Sequence, residues 1–135
     1  MATADRKDHI VQLSILIVDD TGFMRYVLRD LLMQNGLSRV AEAGSRDEAL
    51  ALAASLRPEA VVIDTTHEGA GGPALVTEMA GVLPAARIVA VIRTGDPAAA
   101  AAASRAGAEF TVVKPYDPAE VASLLSSLRS EPAAL

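Results

Sequence analysis

The chain predicts an α/β fold, a doubly wound parallel sheet covered by helices on both faces. Three observations carry it. Five short apolar runs each end in a polar residue or a turn, five segments with apolar residues at helical spacing separate and follow them, and the two kinds alternate strictly. The runs are continuously apolar rather than alternating, as expected of strands buried on both faces.

At 135 residues the chain fits one domain. It is 51% hydrophobic and 21% charged, with alanine, valine, leucine and isoleucine in place of aromatics. There is no cysteine, so disulfides and thiolate zinc sites are excluded, and the two histidines, His9 and His67, have no ligand spacing. The first twelve residues contain Arg6 and Lys7 but no apolar core of export-signal length, and no run approaches the ~20 residues that cross a bilayer. A cytoplasmic protein that does not enter membranes is expected. A formal charge of −5 and a pI near 4.9 argue against nucleic acid as a partner.

The elements follow in order. Residues 13–18 form an apolar strand that ends in "DD", Asp19 and Asp20. Residues 23–34 place Met24, Val27, Leu28, Leu31 and Leu32 on one helical face, stopped by Asn35 and Gly36. A weaker strand over 38–43 precedes "SRDE", Ser45 to Glu48, a capping-box pattern ahead of a helix that ends before Pro58. Residues 60–64, "AVVID", repeat the opening pattern of an apolar run closed by an aspartate, here Asp64, and a glycine-rich loop follows over 65–72. Pro73 opens a third helix to about Val82, and residues 87–92 make a fourth strand. Asp96 and Pro97 begin a helix through the alanine run 98–103, closed by Gly107. The fifth strand covers 109–113, Lys114 and Pro115 break it, and "DPAE", Asp117 to Glu120, caps a last helix to about Arg129. A domain over residues 13–130 is expected, with an extension over 1–12 and a tail over 131–135.

In such a sheet, groups just past the strand ends collect at one edge, where α/β folds place their sites. Asp19, Asp20, Asp64 and Lys114 all fall there. Like charges about 4 Å apart repel by ~4 kcal/mol at an effective dielectric near 20, so converging carboxylates need a cation. Magnesium, a hard ion held by one or two carboxylates, water and phosphate, meets that need, and Lys114 adds a fixed positive charge. Metal and lysine around one aspartate make a site for a phosphoryl group, with Asp64 as nucleophile and Asp19 and Asp20 as metal holders. The competing reading of Asp19 and Asp20, carboxylates stabilised by a helix dipole without metal, leaves Asp64 and Lys114 unexplained.

The ordered motifs "IVDD", "VVID" and "VVKP", with "EAGSRDEAL" between the first two and "RAGAEF" before the third, resemble the response-regulator receiver domain of two-component signalling, chemotaxis receivers included. The resemblance spans roughly residues 14–129. It implies a flavodoxin-like sheet with strand order 2-1-3-4-5. It further implies that Asp64 accepts phosphate from a histidine kinase or phosphotransfer protein. Asp19, Asp20, Asp64 and the Thr66 backbone carbonyl would hold Mg2+, Lys114 would sense the phosphoryl group, and Gly72 would close the active-site loop.

The chain departs from that family at its switch. The Ser or Thr expected at the end of strand four falls on Ile92, and the aromatic expected three residues before the lysine falls on Thr111. A lost hydrogen bond to a charged oxygen forfeits ~1.5–3 kcal/mol, comparable with the bias a two-state switch needs. Three residues are candidate modulators: Thr94 offers a substitute hydroxyl, Arg93 a bidentate donor to phosphate, and His67, with Glu68, replaces the usual Met-Pro pair after the acceptor. His67 and Glu68 fit either a solvated loop or control of water access. Because the last helix is followed only by "SEPAAL", a stand-alone receiver is expected, a monomer or weak dimer that signals by protein contact, and the family resemblance implies the helix four, strand five, helix five face as the contact surface. It is read as a signalling protein rather than a turnover enzyme. The alternative is a pseudo-receiver, a phosphorylation-independent interaction module; a small phosphatase is weaker, since no second acid or base accompanies Asp64.

Overall fold

The computed structural model describes residues 13–130; the extension expected over 1–12 and the tail over 131–135 lie outside them. Strands and helices alternate as β1 (Ser14–Val18), α1 (Gly22–Gln34), β2 (Arg39–Ala43), α2 (Arg46–Leu56), β3 (Ala60–Asp64), α3 (Gly72–Val82), β4 (Arg87–Arg93), α4 (Pro97–Ala106), β5 (Phe110–Lys114) and α5 (Pro118–Arg129). A 3-10 turn, Glu68–Ala70, lies between β3 and α3. All strand pairs are parallel, in the order β2-β1-β3-β4-β5.

The period of two along each strand explains the continuous apolar runs. Ile15, Ile17, Val62, Val89, Val91 and Val112 face one core with Leu28 and Leu32 of α1 and Val121, Leu124, Leu125 and Leu128 of α5. Their neighbours Leu16, Val18, Val61, Ile63, Ile88 and Ala90 face a second core with Ala49 and Ala53 of α2, Leu75, Val76 and Met79 of α3, and Ala103 of α4. Each fully buried leucine contributes ~1.5–3 kcal/mol of transfer free energy, and both sides of the sheet supply it. In α4 the buried contribution comes from Ala103, the thin face that an alanine run provides.

Caps hold the helix starts in place. Ser45 Oγ accepts from the Glu48 amide (3.2 Å) and Glu48 Oε1 accepts from the Gly44 amide (2.6 Å), one residue earlier than an ideal capping box. Asp96 Oδ1 accepts from the Ala99 amide (2.9 Å) and Asp117 Oδ1 from the Ala119 amide (3.4 Å). Glu120 does not complete a box with Asp117; its Oε1 accepts from the Val113 amide (2.9 Å) and ties α5 to β5.

Two strands run further than the sequence predicts. Arg93 pairs with Lys114, so both are the terminal residues of their strands rather than loop residues beyond them, and Asp64, which closes β3 as expected, pairs with Val91. The ladder therefore fixes the backbone of all three. Pairing of Val18 with Ile63 sets Asp19 beside Asp64 at the same edge.

Candidate functional site

Asp19, Asp20 and Asp64 each place a carboxylate oxygen within 4.8 Å of the others. Asp19 and Asp64 are buried, at 1% and 0% exposure, while Asp20 faces solvent. Lys114 reaches in from β5 with its Nζ 2.7 Å from Asp19 Oδ2 and 3.2 Å from Asp64 Oδ2. The side chains predicted to converge do so.

Local hydrogen bonds aim the carboxylates. Asp19 Oδ1 accepts from the Thr21 amide (2.9 Å), and Asp64 Oδ1 accepts from both the Thr66 amide (2.9 Å) and the Thr66 hydroxyl (2.6 Å). These short turns fix each carboxylate's rotation and leave the Oδ2 atoms. The Lys114 ammonium is at ion-pair distance from both Oδ2 atoms, and these buried oxygens have no other polar partner among the described residues. Buried carboxylates are costly unless cations balance them. One ammonium does not balance three carboxylates, and an all-oxygen donor set suits a hard divalent ion. The residues present fit Mg2+.

Gly69 fits the 3-10 turn to this cluster, and Gly72 shapes the start of α3. A Cβ on Gly69 would collide with the Asp20 carboxylate, so the turn lies directly against a candidate metal holder. Gly72, the glycine matched to the loop closure, has φ +56, a left-handed conformation that glycine adopts without a Cβ penalty.

The candidate modulators divide. Thr94 Oγ1 donates to the Lys114 carbonyl (2.9 Å), so its hydroxyl is committed to the β4–β5 edge and does not stand in for a switch hydroxyl. Ile92 is buried at 6% exposure, and Thr111 is exposed on β5. His67 is exposed ahead of the 3-10 turn, with no side-chain hydrogen bond capping it. Arg93 is exposed, and its Nη2 donates to the Thr66 carbonyl at 3.1 Å, the atom that the family resemblance assigns to magnesium.

Residues beyond those read from the sequence also shape the site. Arg25 Nη1 donates to the Asp19 carbonyl (2.5 Å) and Nε to Glu42 Oε1 (3.2 Å), tethering the β1–α1 turn to β2. Thr65 Oγ1 donates to the Val91 carbonyl (2.7 Å) and extends the β3–β4 contact past Asp64. Tyr116, packed against the α1/α5 core, has its phenol pKa pushed up by burial and further by the negative charges of Asp19 and Asp64. Of these, only Tyr116 had a sequence signal, its place just after Lys114 and Pro115.

A family model described as the response regulator receiver domain matches residues 15–126. The chemotaxis protein CheY of Thermotoga maritima is 32% identical over 114 residues, covering 84% of this chain and 95% of that protein. CheY of Bacillus subtilis is 34% identical over 102 residues, covering 76% and 85%. Among solved structures, the receiver domain of NtrX from Brucella abortus superposes with a TM-score of 0.79 at 26% identity, covering 86% of this chain and 98% of that one. A LuxR-family two-component response regulator from Aurantimonas sp. superposes with a TM-score of 0.78 at 33% identity, covering 87% and 85%. No helix among the described residues is long and apolar enough to cross a membrane. With the parallel 2-1-3-4-5 sheet, the acidic edge and the lysine at the end of β5, these matches establish that the chain belongs to the response regulator receiver domain family.

Proposed function

We propose that Asp64 accepts a phosphoryl group from a histidine kinase or phosphotransfer protein and that the phosphorylated domain signals by contact with another protein. The observation that carries this reading is the buried Asp64 carboxylate, whose Oδ2 lies 3.2 Å from the Lys114 ammonium and has no other polar partner among the described residues. In the transfer, the Asp64 carboxylate attacks phosphorus, the nitrogen–phosphorus bond of the donor histidine breaks, and the imidazole leaves with the bonding electron pair. Asp19, Asp20, Asp64 and the Thr66 carbonyl are the groups that would hold Mg2+. When bound, Mg2+ supplies charge neutralisation at the phosphoryl oxygens. The Thr66 amide and hydroxyl orient the nucleophile through Oδ1, and Lys114 balances charge at Oδ2.

The same residues argue for a muted conformational response. Ile92 presents no hydroxyl to a phosphoryl oxygen, Thr94 has committed its own to the Lys114 carbonyl, and Thr111 is exposed rather than a buried aromatic rotor. The face formed by α4, β5 and α5 is the proposed contact surface for an output partner.

The test is incubation with Mg2+ and phosphoramidate, followed by intact mass. Wild type gains one phosphoryl group and Asp64→Asn gains none. A wild type that binds Mg2+ but gains no mass would overturn the acceptor role and leave the phosphorylation-independent module as the better account.

A further inference from the structure

We propose that Arg93 is a competing occupant of the divalent-cation site: its guanidinium holds the Thr66 carbonyl in the free protein and leaves it when the cation binds, so Arg93 sets the cation affinity. The inference rests on the phosphoacceptor reading for the identity of the cation and adds a control that the reading does not contain.

Thr66 has three polar groups near the acidic cluster. Its amide and hydroxyl both donate to Asp64 Oδ1 at 2.9 and 2.6 Å, so both of its donors are spent on the nucleophile, while its carbonyl accepts from Arg93 Nη2 at 3.1 Å. A carbonyl oxygen has a second lone pair, but a guanidinium and a divalent cation sharing that oxygen repel across a few ångströms. Binding of the cation therefore displaces the arginine.

Arg93 is built to move in this way. Its backbone is pinned by pairing with Lys114 at the end of β4, while its side chain is exposed. Beside it lies a cleft of about 120 Å³ lined by Thr65, Thr66, Ile92, Arg93, Asp96 and Ala99. The cleft gives the displaced guanidinium a place beside the Asp64 loop. Asp19 Oδ2 and Asp64 Oδ2, buried with the Lys114 ammonium as their one partner among the described residues, leave three converging carboxylates with one ammonium between them, the independent sign that the cluster takes a further cation.

The experiment titrates Mg2+ into wild type, Arg93→Ala and Arg93→Lys, following amide and arginine side-chain N–H resonances. Arg93→Ala binds Mg2+ about five- to thirtyfold more tightly than wild type, less than the full effect of removing a charged donor from a ligand atom because the guanidinium is exposed to water. Arg93→Lys falls between them, because lysine keeps the charge but lacks the planar fork. In wild type the Arg93 side-chain N–H resonances shift in step with Mg2+ binding. An Arg93→Ala affinity within about twofold of wild type overturns the proposal. So does a lysine variant equal to wild type, which would make the effect one of net charge, and so does an absence of Mg2+ binding in all three proteins. The phosphoramidate mass assay runs beside it: a tighter Arg93→Ala with no phosphoryl gain in wild type leaves this proposal standing and removes the acceptor reading.

Discussion

Replacing Lys114 with methionine keeps the aliphatic stem and removes the ammonium that faces two buried carboxylates. Nζ lies 2.7 Å from Asp19 Oδ2 and 3.2 Å from Asp64 Oδ2, attractions of ~6 and ~5 kcal/mol at an effective dielectric near 20, largely offset by desolvation of the ammonium. What the substitution exposes is the other term: Asp19 and Asp64, with ligand oxygens within 4.8 Å, face each other uncompensated at 1% and 0% exposure. Breaking a buried pair on one side costs ~3–5 kcal/mol, and the lower end applies because Lys114 retains 14% side-chain exposure. For a domain of this size ~3 kcal/mol lowers Tm by roughly 12 °C. Thermal and urea unfolding in the absence of divalent cations read the loss, and adding Asp19→Asn to Lys114→Met recovers ~1 kcal/mol or more by removing one of the opposed charges. A Tm within about 3 °C of wild type, or no recovery in the double variant, would refute the claim that Lys114 compensates a strained acidic pair.

Three further outcomes follow from particular contacts. Gly69→Ala sets a methyl against the exposed Asp20 carboxylate, which swings away; stability in urea changes by less than ~0.5 kcal/mol while Mg2+ affinity, followed by amide shifts, falls severalfold. Ser45→Ala removes the acceptor for the Glu48 amide and lowers stability in urea by ~1 kcal/mol without altering Mg2+ affinity. The Tyr116 phenol is held above its ordinary range by burial and by Asp19 and Asp64, so ultraviolet titration finds its ionisation lowered in Asp64→Asn. Because its folded pKa is raised, Tyr116 contributes stability that is complete below the unfolded phenol value near ~10 and is lost as pH rises above it.

The sheet was legible because its strands are buried on both faces. Ile15 to Val18 and Ala60 to Ile63 have no solvated side, so their apolar runs admit few other interpretations, and the aspartates that end them mark the edge where the site forms. Strand ends at β4 and β5 were misplaced by one residue, since polarity at Arg93 and Lys114 reads as loop whereas the ladder extends through both. The convergence of Asp19, Asp20, Asp64 and Lys114 follows from topology and was predictable. The contact between Arg93 and the Thr66 carbonyl was not, because a side chain's choice among exposed backbone acceptors leaves no periodicity in sequence. The close approach of Gly69 to Asp20 and the tether from Arg25 to the Asp19 carbonyl are hidden for the same reason: each depends on how a turn sits over its neighbour, not on which residue types flank it.

The acceptor role of Asp64 is tested most directly by locating the phosphoryl group. Phosphoramidate and Mg2+ are applied to wild type, the acyl phosphate is reduced with borohydride, and the peptides are sequenced by mass spectrometry. Reduction converts the phosphorylated aspartate to homoserine, and the account predicts that residue at position 64 alone. Homoserine at position 19 or 20, or at none of the three, would contradict it.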